Sequence, residues 1–179
     1  MPRLEISESC HLRPLAEDDA PRLQELIERN RDRLAAWFDW AAGQGPADTL
    51  EFIRKAERQA RANEGFQAAV VCDGQVAGVA GFVGVDWHRR ATKIGYWLDR
   101  EQEGRGTMTA AVRALVDHAL KAWRLNRVEI HAAVDNRRSR AIPERLGFRQ
   151  EGILRQAERV GDRFLDSVVY AMLADEWGN

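Results

Sequence analysis

The stretch Glu103-Gly104-Arg105-Gly106-Thr107-Met108-Thr109 constrains this chain more than any other, because it joins two segments of different period. Before it, Ile94-Gly95-Tyr96-Trp97-Leu98 is a short apolar run that reads as a buried strand. After it, Met108, Val112, Leu115, Val116, Ala119, Leu120 and Trp123 recur every three or four residues, as on one face of an amphipathic helix. Two glycines therefore fall in a turn between a strand and a helix N-terminus. Backbone amides are without partners there and the helix dipole is positive, which suits a phosphate or pyrophosphate. Arg105 adds a positive charge and Thr109 a hydroxyl in the first turn. A Gly-x-Gly before a helix also serves as a plain tight turn, so the rest of the chain has to supply a matching site.

Taken in order, residues 7–14 read as a first strand. Asp18-Asp19 cap a helix with Pro21 in its first turn and Leu23, Leu26 and Ile27 along its buried stripe. Trp37, Phe38 and Trp40 follow within four positions, too many large aromatics to face one core. They either pack partly buried against neighbouring helices, or Trp37 or Trp40 lines a substrate cleft. Residues 46–63 read as a long polar helix. From residue 66 the period shortens, and strands over 66–72 and 76–87 flank Asp73-Gly74, a two-residue hairpin signal. Gly78, Gly81 and Gly84 inside the second strand point to a bulge or a close backbone approach. A strand over 92–98, the glycine loop and the long helix come next, then a strand over 128–134. Asn136 can cap a short helix that closes at Gly147, and strands over 148–158 and 164–173 complete the pattern. That order predicts an α/β fold: a mixed, mostly antiparallel central sheet flanked by helices, with a strand–helix–strand crossover, in a single domain over 1–179.

Lys plus Arg is 27 against 28 Asp plus Glu, net −1, which argues against a nucleic-acid surface as the main function. No apolar run reaches membrane-spanning length, and no signal peptide is visible at the N-terminus. Cys10 and Cys72, each within an expected strand, read as buried free thiols in a reducing cytoplasm rather than as a disulfide or metal site. His11, His88, His118 and His131 lack metal-ligand spacing, so no metal is expected.

Antiparallel strands, a glycine-rich turn into a helix, and then strand-Asn136-helix-Gly147-Phe148 resemble the GNAT superfamily of acyl-CoA-dependent N-acetyltransferases. The closer resemblance is to the RimL-type branch, which acetylates the N-terminal amine of ribosomal proteins. It is carried by residues 94–98, residues 104–109, Asp135-Asn136 with Ser139, and Gln156-Ala157-Glu158. Trp37-Phe38-Asp39-Trp40 falls where that branch has a tryptophan-containing helix. The resemblance implies acetyl-CoA as co-substrate. Contacts are expected from Trp97, Leu98, Glu103, Gly104, Arg105, Gly106, Thr107, Met108, Thr109, Asn136 and Arg140, although for Asn136 helix capping is a rival explanation. Trp37 and Trp40 would meet the acceptor, Glu158 would be general base and Ser139 general acid. A homodimer would be permitted by exposed aromatics and the C-terminal strand pair, and the branch resemblance also suggests one.

The departures are chemical. Glu103 stands where the wider pattern begins with Gln or Arg, Lys93 where many relatives carry a glutamate base, and Pro143 where many carry a tyrosine acid. An α-amine of pKa ~8 is roughly a quarter neutral at pH 7.5, whereas a lysine at ~10.4 is neutral about once in a thousand. A chain without the central-strand glutamate is easier to reconcile with an α-amine. The expected reaction is acetyl transfer to a protein N-terminus by direct attack in a ternary complex. Its rivals are acetylation of a small amine and a non-catalytic acyl-CoA-binding module. For Glu158 the plain alternative is a solvated strand-end carboxylate, and for Ser139 an ordinary helix-start hydroxyl.

Overall fold

The computed structural model describes residues 3–178, so Met1, Pro2 and Asn179 of the expected domain lie outside it. In chain order the elements are β1 (Leu4–Glu5), β2 (Cys10–Pro14), α1 (Ala20–Arg29), α2 (Arg31–Ala35), α3 (Pro46–Arg61), β3 (Gln67–Cys72), β4 (Gln75–Asp86) and β5 (Ala91–Leu98). They continue with α4 (Thr107–Asp117), β6 (Arg127–Ala133), α5 (Arg137–Arg145), β7 (Arg149–Val160) and β8 (Arg163–Leu173). One eight-stranded sheet runs β1-β2-β3-β4-β5-β6-β8-β7. Its ladders are antiparallel except β5–β6, the pair joined through α4. The mixed α/β architecture expected from the pattern is the one observed. The two-residue strand β1 was not expected; it pairs Leu4 with Leu12, too short a run for alternation to mark.

Local chemistry explains the sharp corners. Asp73 and Gly74 both have positive φ, 49° and 77°, as a two-residue hairpin of the right twist requires. Gly147 ends α5 at φ 78°, and Asn136 caps it by accepting the Ser139 N–H at 3.2 Å. The strand glycines split into two kinds. A Cβ on Gly78 would strike the Trp97 carbonyl oxygen and stand 2.9 Å from the Leu98 Cα, and one on Gly81 would strike the Phe66 carbonyl oxygen. Gly84, beside the β4–β5 bulge, has open space around it.

The sheet separates two cores. On one face Ile94 and Leu98 of β5, Val128 and Ile130 of β6, and Val168 and Tyr170 of β8 pack with Met108, Val112 and Leu115 of α4 and with Ile142 and Leu146 of α5. On the other, Val71 and Val79 pack with Leu23, Leu26 and Ile27 of α1 and Ile53 of α3, and Trp97 joins this side. The expected long helix ends differently from its pattern: after α4 the chain widens into a π-helical turn over His118–Ala122 before Trp123. Trp123 then packs edge-on against Phe66 and His118, at centroid distances of 5.5 and 4.7 Å.

The cysteines correct the sequence reading. Cys10 and Cys72 stand directly opposite one another on β2 and β3, Cα atoms 4.2 Å apart, and are joined as a disulfide. Their 62-residue separation carries no pairing signal; only the antiparallel register brings them together. The expectation of free thiols falls, and with it the argument for a reducing compartment. Among the described residues, no helix is long and apolar enough to cross a membrane.

Candidate active site

The site forms where β5 and β6 part. Their parallel pairing covers only Ala91–Lys93 with Arg127–Glu129, so from Ile94 onward the strands diverge towards their C-terminal ends. Sheet direction brings other pieces to the same end. β8 is antiparallel to β6, pairing Ser167 with Ala133, and β7 is antiparallel to β8, pairing Glu158 with Leu165. The ends of β5 and β6, the start of α5, and the β7–β8 hairpin near Glu158 thus surround one opening.

The glycine loop lies beside it. Gly104 and Gly106 have φ of 77° and 78°, a conformation that favours glycine, and Gly106 is the N-cap of α4 with no side chain to satisfy the first-turn amides. The amides of Thr107, Met108 and Thr109 therefore stand without a side-chain cap at the positive end of the helix, a place that suits an anion. Arg105 lies with Gly106 and Thr107 along a cavity of about 230 Å³ that also touches Ser7, Cys10 and Asp73. Glu103 does not face this end as an isolated negative charge. Its carboxylate is paired with Arg33 of α2 and, at 2.5 Å, with Arg138 of α5. Two guanidinium groups around one carboxylate offset the negative charge that Glu103 brings beside the glycine loop. Arg33 also donates to the Leu98 carbonyl at 2.5 Å and to Asn30 Oδ1 at 2.9 Å, pinning α2 to the end of β5.

Ser139 and Glu158 sit on opposite sides of the sheet. Ser139 is in the first turn of α5, on the face covered by α4 and α5, where Tyr96 of β5 reaches it. Glu158 shares a face with its partner Leu165, and Leu165 alternates with core residues Val168 and Tyr170, which places Glu158 on the side of Trp97. A break in register between Leu154 and Glu158 sets this aim. Gln156 takes φ 51° and donates its N–H to Asp166 Oδ1 at 2.8 Å, so the strand is re-aimed just before the carboxylate.

The aromatic segment is not the continuous helix expected for Trp37 and Trp40. α2 stops at Ala35, Trp37 and Phe38 are extended or turning, and Trp40 falls in a single 3-10 turn over Asp39–Ala42. None of the three rings is fully buried. Trp40 stacks on Phe38 at 5.6 Å and approaches Trp97 at 6.5 Å, so it is Trp40 that stands at the end of β5. The same segment meets the β7–β8 tip: Gly161 donates its N–H to Asp39 Oδ1 at 2.8 Å, and Arg163 reaches the Ala36 carbonyl at 3.4 Å. These two contacts tie the aromatic segment to the β7–β8 hairpin on the Trp97 side. Arg140 faces elsewhere. Its guanidinium donates to the Tyr170 hydroxyl and the Val134 carbonyl, both at 2.9 Å, stapling α5 to β8 and to the end of β6.

Sequence reading missed Tyr96, Arg33, Arg138 and Asp39. Tyr96 lay in plain view in the strand before the loop, but alternation assigns it to the core, and its hydroxyl partner is 43 residues away. Arg33 and Asp39 are ordinary polar residues until the fold brings their partners to them. Among the described residues there is no group of three or more His, Cys, Asp or Glu that could hold a metal ion.

Two diverging parallel strands with a glycine loop at a helix N-terminus beside them make a site suited to a ligand that carries phosphates, as an acyl-CoA does. Residues 10–149 match the acetyltransferase (GNAT) domain, and the chain belongs to that family. It is 40% identical to the putative ribosomal N-acetyltransferase YdaF of Bacillus subtilis, over 96% of this chain and 95% of that one. To the ribosomal-protein-serine acetyltransferase of Escherichia coli it is 30% identical, over 96% and 97%. A solved structure described as the RimL ribosomal L7/L12 alpha-N-protein acetyltransferase with coenzyme A superposes with a TM-score of 0.93, at 27% identity, covering 98% and 99% of the two chains. The chain is an N-acetyltransferase of the RimL-type branch that uses acetyl-CoA.

Proposed function

We propose that the acceptor is the α-amine of a protein N-terminus, with ribosomal proteins as the acceptor class, and that the amine attacks acetyl-CoA directly in a ternary complex. The observation that carries this is the Asp39–Gly161 bridge beside the Trp40–Trp97 contact, which we read as a roof over that side of the opening. A cleft closed in this way admits the end of a chain more readily than a side chain in the middle of one. Glu158 takes the amine proton from that side. The amides of the diverging strand at Trp97 and Leu98 align the pantetheine arm and polarise the carbonyl. The amides of residues 104–109 with Arg105 hold the pyrophosphate, and Ser139 hydrogen-bonds the departing sulfur. Trp40, stacked on Phe38, flanks the entering residue, with Trp37 in the same segment as a second candidate. Relatives described as acting on ribosomal proteins support the same acceptor class.

The test is thiol release from acetyl-CoA with a panel of acceptors: peptides with free Ser, Ala or Met N-termini, an N-blocked lysine peptide, and small amines. Acetylation of a free N-terminus is the expected result. Reaction with small amines alone removes the N-terminal assignment, and tight acetyl-CoA binding without any release makes the chain a binding module. The proposal extends to a homodimer, supported by Ile153 and Leu154, which are about half exposed on β7, one of the two edge strands of the sheet. Light scattering at micromolar concentration gives the mass, and a monomer there sinks this part.

A further inference from the structure

The wider superfamily's tyrosine position in α5 is occupied by Pro143, yet a tyrosine hydroxyl does reach the first turn of that helix, from a different element. Tyr96 projects from β5 on the α4–α5 side, donates its O–H to the Ser139 carbonyl at 3.0 Å, and accepts from Ser139 Oγ at 3.3 Å. The Ser139 N–H is held separately by Asn136 Oδ1 at 3.2 Å. Backbone and side chain of this one serine are thus fixed by two residues from two elements. Capping needs only Asn136. The second contact, to the hydroxyl itself, has no role in starting the helix.

We propose that Tyr96 is a positioning residue for acyl transfer, holding the Ser139 hydroxyl so that it can hydrogen-bond the sulfur leaving acetyl-CoA. The inference rests on the placing of Ser139 at that sulfur under the proposed function. Hydroxyl hydrogens rotate at little cost, so the heavy-atom contact allows two arrangements. At rest Ser139 donates to Tyr96 and Tyr96 donates to the Ser139 carbonyl. When negative charge develops on sulfur, Ser139 turns its hydrogen to it and Tyr96 turns its own to Ser139 Oγ. Each hydrogen bond in such a chain polarises the next. No covalent bond changes at either residue, and the tyrosine keeps its proton: burial pushes its hydroxyl far above the ordinary tyrosine range.

The experiment titrates the thiol of coenzyme A in its binary complex by the near-ultraviolet absorbance of the thiolate, which needs no acceptor. Wild type, Tyr96→Phe, Ser139→Ala and the double variant are compared. Ser139→Ala removes the hydrogen bond to the thiolate and should lower its fraction, at a fixed pH below the midpoint, by about three- to tenfold; Tyr96→Phe removes the donor behind that hydroxyl and should lower it in the same direction by about threefold. The double variant should match Ser139→Ala, because Tyr96 acts only through the serine. With an accepted amine, Tyr96→Phe should lower kcat by a similar factor and leave KM for acetyl-CoA unchanged. The proposal is overturned if Tyr96→Phe titrates like wild type while Ser139→Ala does not, or if the two effects add. If Ser139→Ala itself titrates like wild type, the serine is not at the sulfur, and its assigned role falls with this one. Replacing Tyr96 with 3-fluorotyrosine guards against a misfolded variant. This nearly isosteric, stronger donor should raise the thiolate fraction, and no rise counts against the proposal.

Discussion

Glu158→Gln should lower kcat with a free-N-terminus peptide by about two decades or more at pH 7.5, the usual contribution of a positioned general base. KM for acetyl-CoA should stay near its wild-type value, because Glu158 lies on the far side of the sheet from α4 and the glycine loop. The carboxylate is exposed, and the amide has nearly the same shape, so stability should change by under about 0.5 kcal/mol. Steady-state kinetics with thermal melts of both proteins checks all three. A loss below about threefold in kcat would return Glu158 to the role of a solvated strand carboxylate. Raising the pH towards 9 should recover part of the lost rate for an α-amine acceptor, since the amine is then mostly neutral without help.

Gly78→Ala should be the most damaging small substitution in the sheet. The added methyl would overlap the Trp97 carbonyl and crowd the Leu98 Cα, both backbone atoms that cannot rotate aside. Strand β4 would have to move away from β5 where Gly78 pairs with Leu98. Overpacking of this kind costs about 3 kcal/mol, which for a chain of this size lowers Tm by about 10 °C. The affinity for acetyl-CoA should fall too, because the displaced residues are those at the opening. Gly84→Ala is the control: nothing lies within 4 Å of its would-be Cβ, and its Tm should move by no more than about 2 °C. Differential scanning calorimetry on both variants decides the matter. Equal melting temperatures would mean that β4 and β5 separate freely at Gly78.

Much of the fold was legible because its signals are local. Asp73-Gly74 names its own turn, Asn136 and Gly147 mark the two ends of α5, and the spacing of Met108, Val112 and Leu115 gives α4 its buried face. Gly78 and Gly81 announced a close approach without saying to what. Contacts between distant segments were not legible. The Cys10–Cys72 bond depends on strand register, the embrace of Glu103 by Arg33 and Arg138 on the packing of α2 and α5 around one loop, and the Asp39–Gly161 bridge on a hairpin reaching back 122 residues. Glu158 and Ser139 were picked out by resemblance, not by any period or spacing. Their relation to each other, on opposite faces at one end of the sheet, could come only from the fold.

That relation has a consequence for turnover. On the assignments proposed above, a proton taken from the amine arrives on one side of the sheet and a proton for the thiol is wanted on the other. The two need not be the same proton. Each side can equilibrate with its own patch of solvent, so the enzyme has no need of an internal proton wire, and resetting after each cycle is left to water. The sheet is then a partition, with the gap between β5 and β6 as a door in it, and the acyl group is what has to pass through.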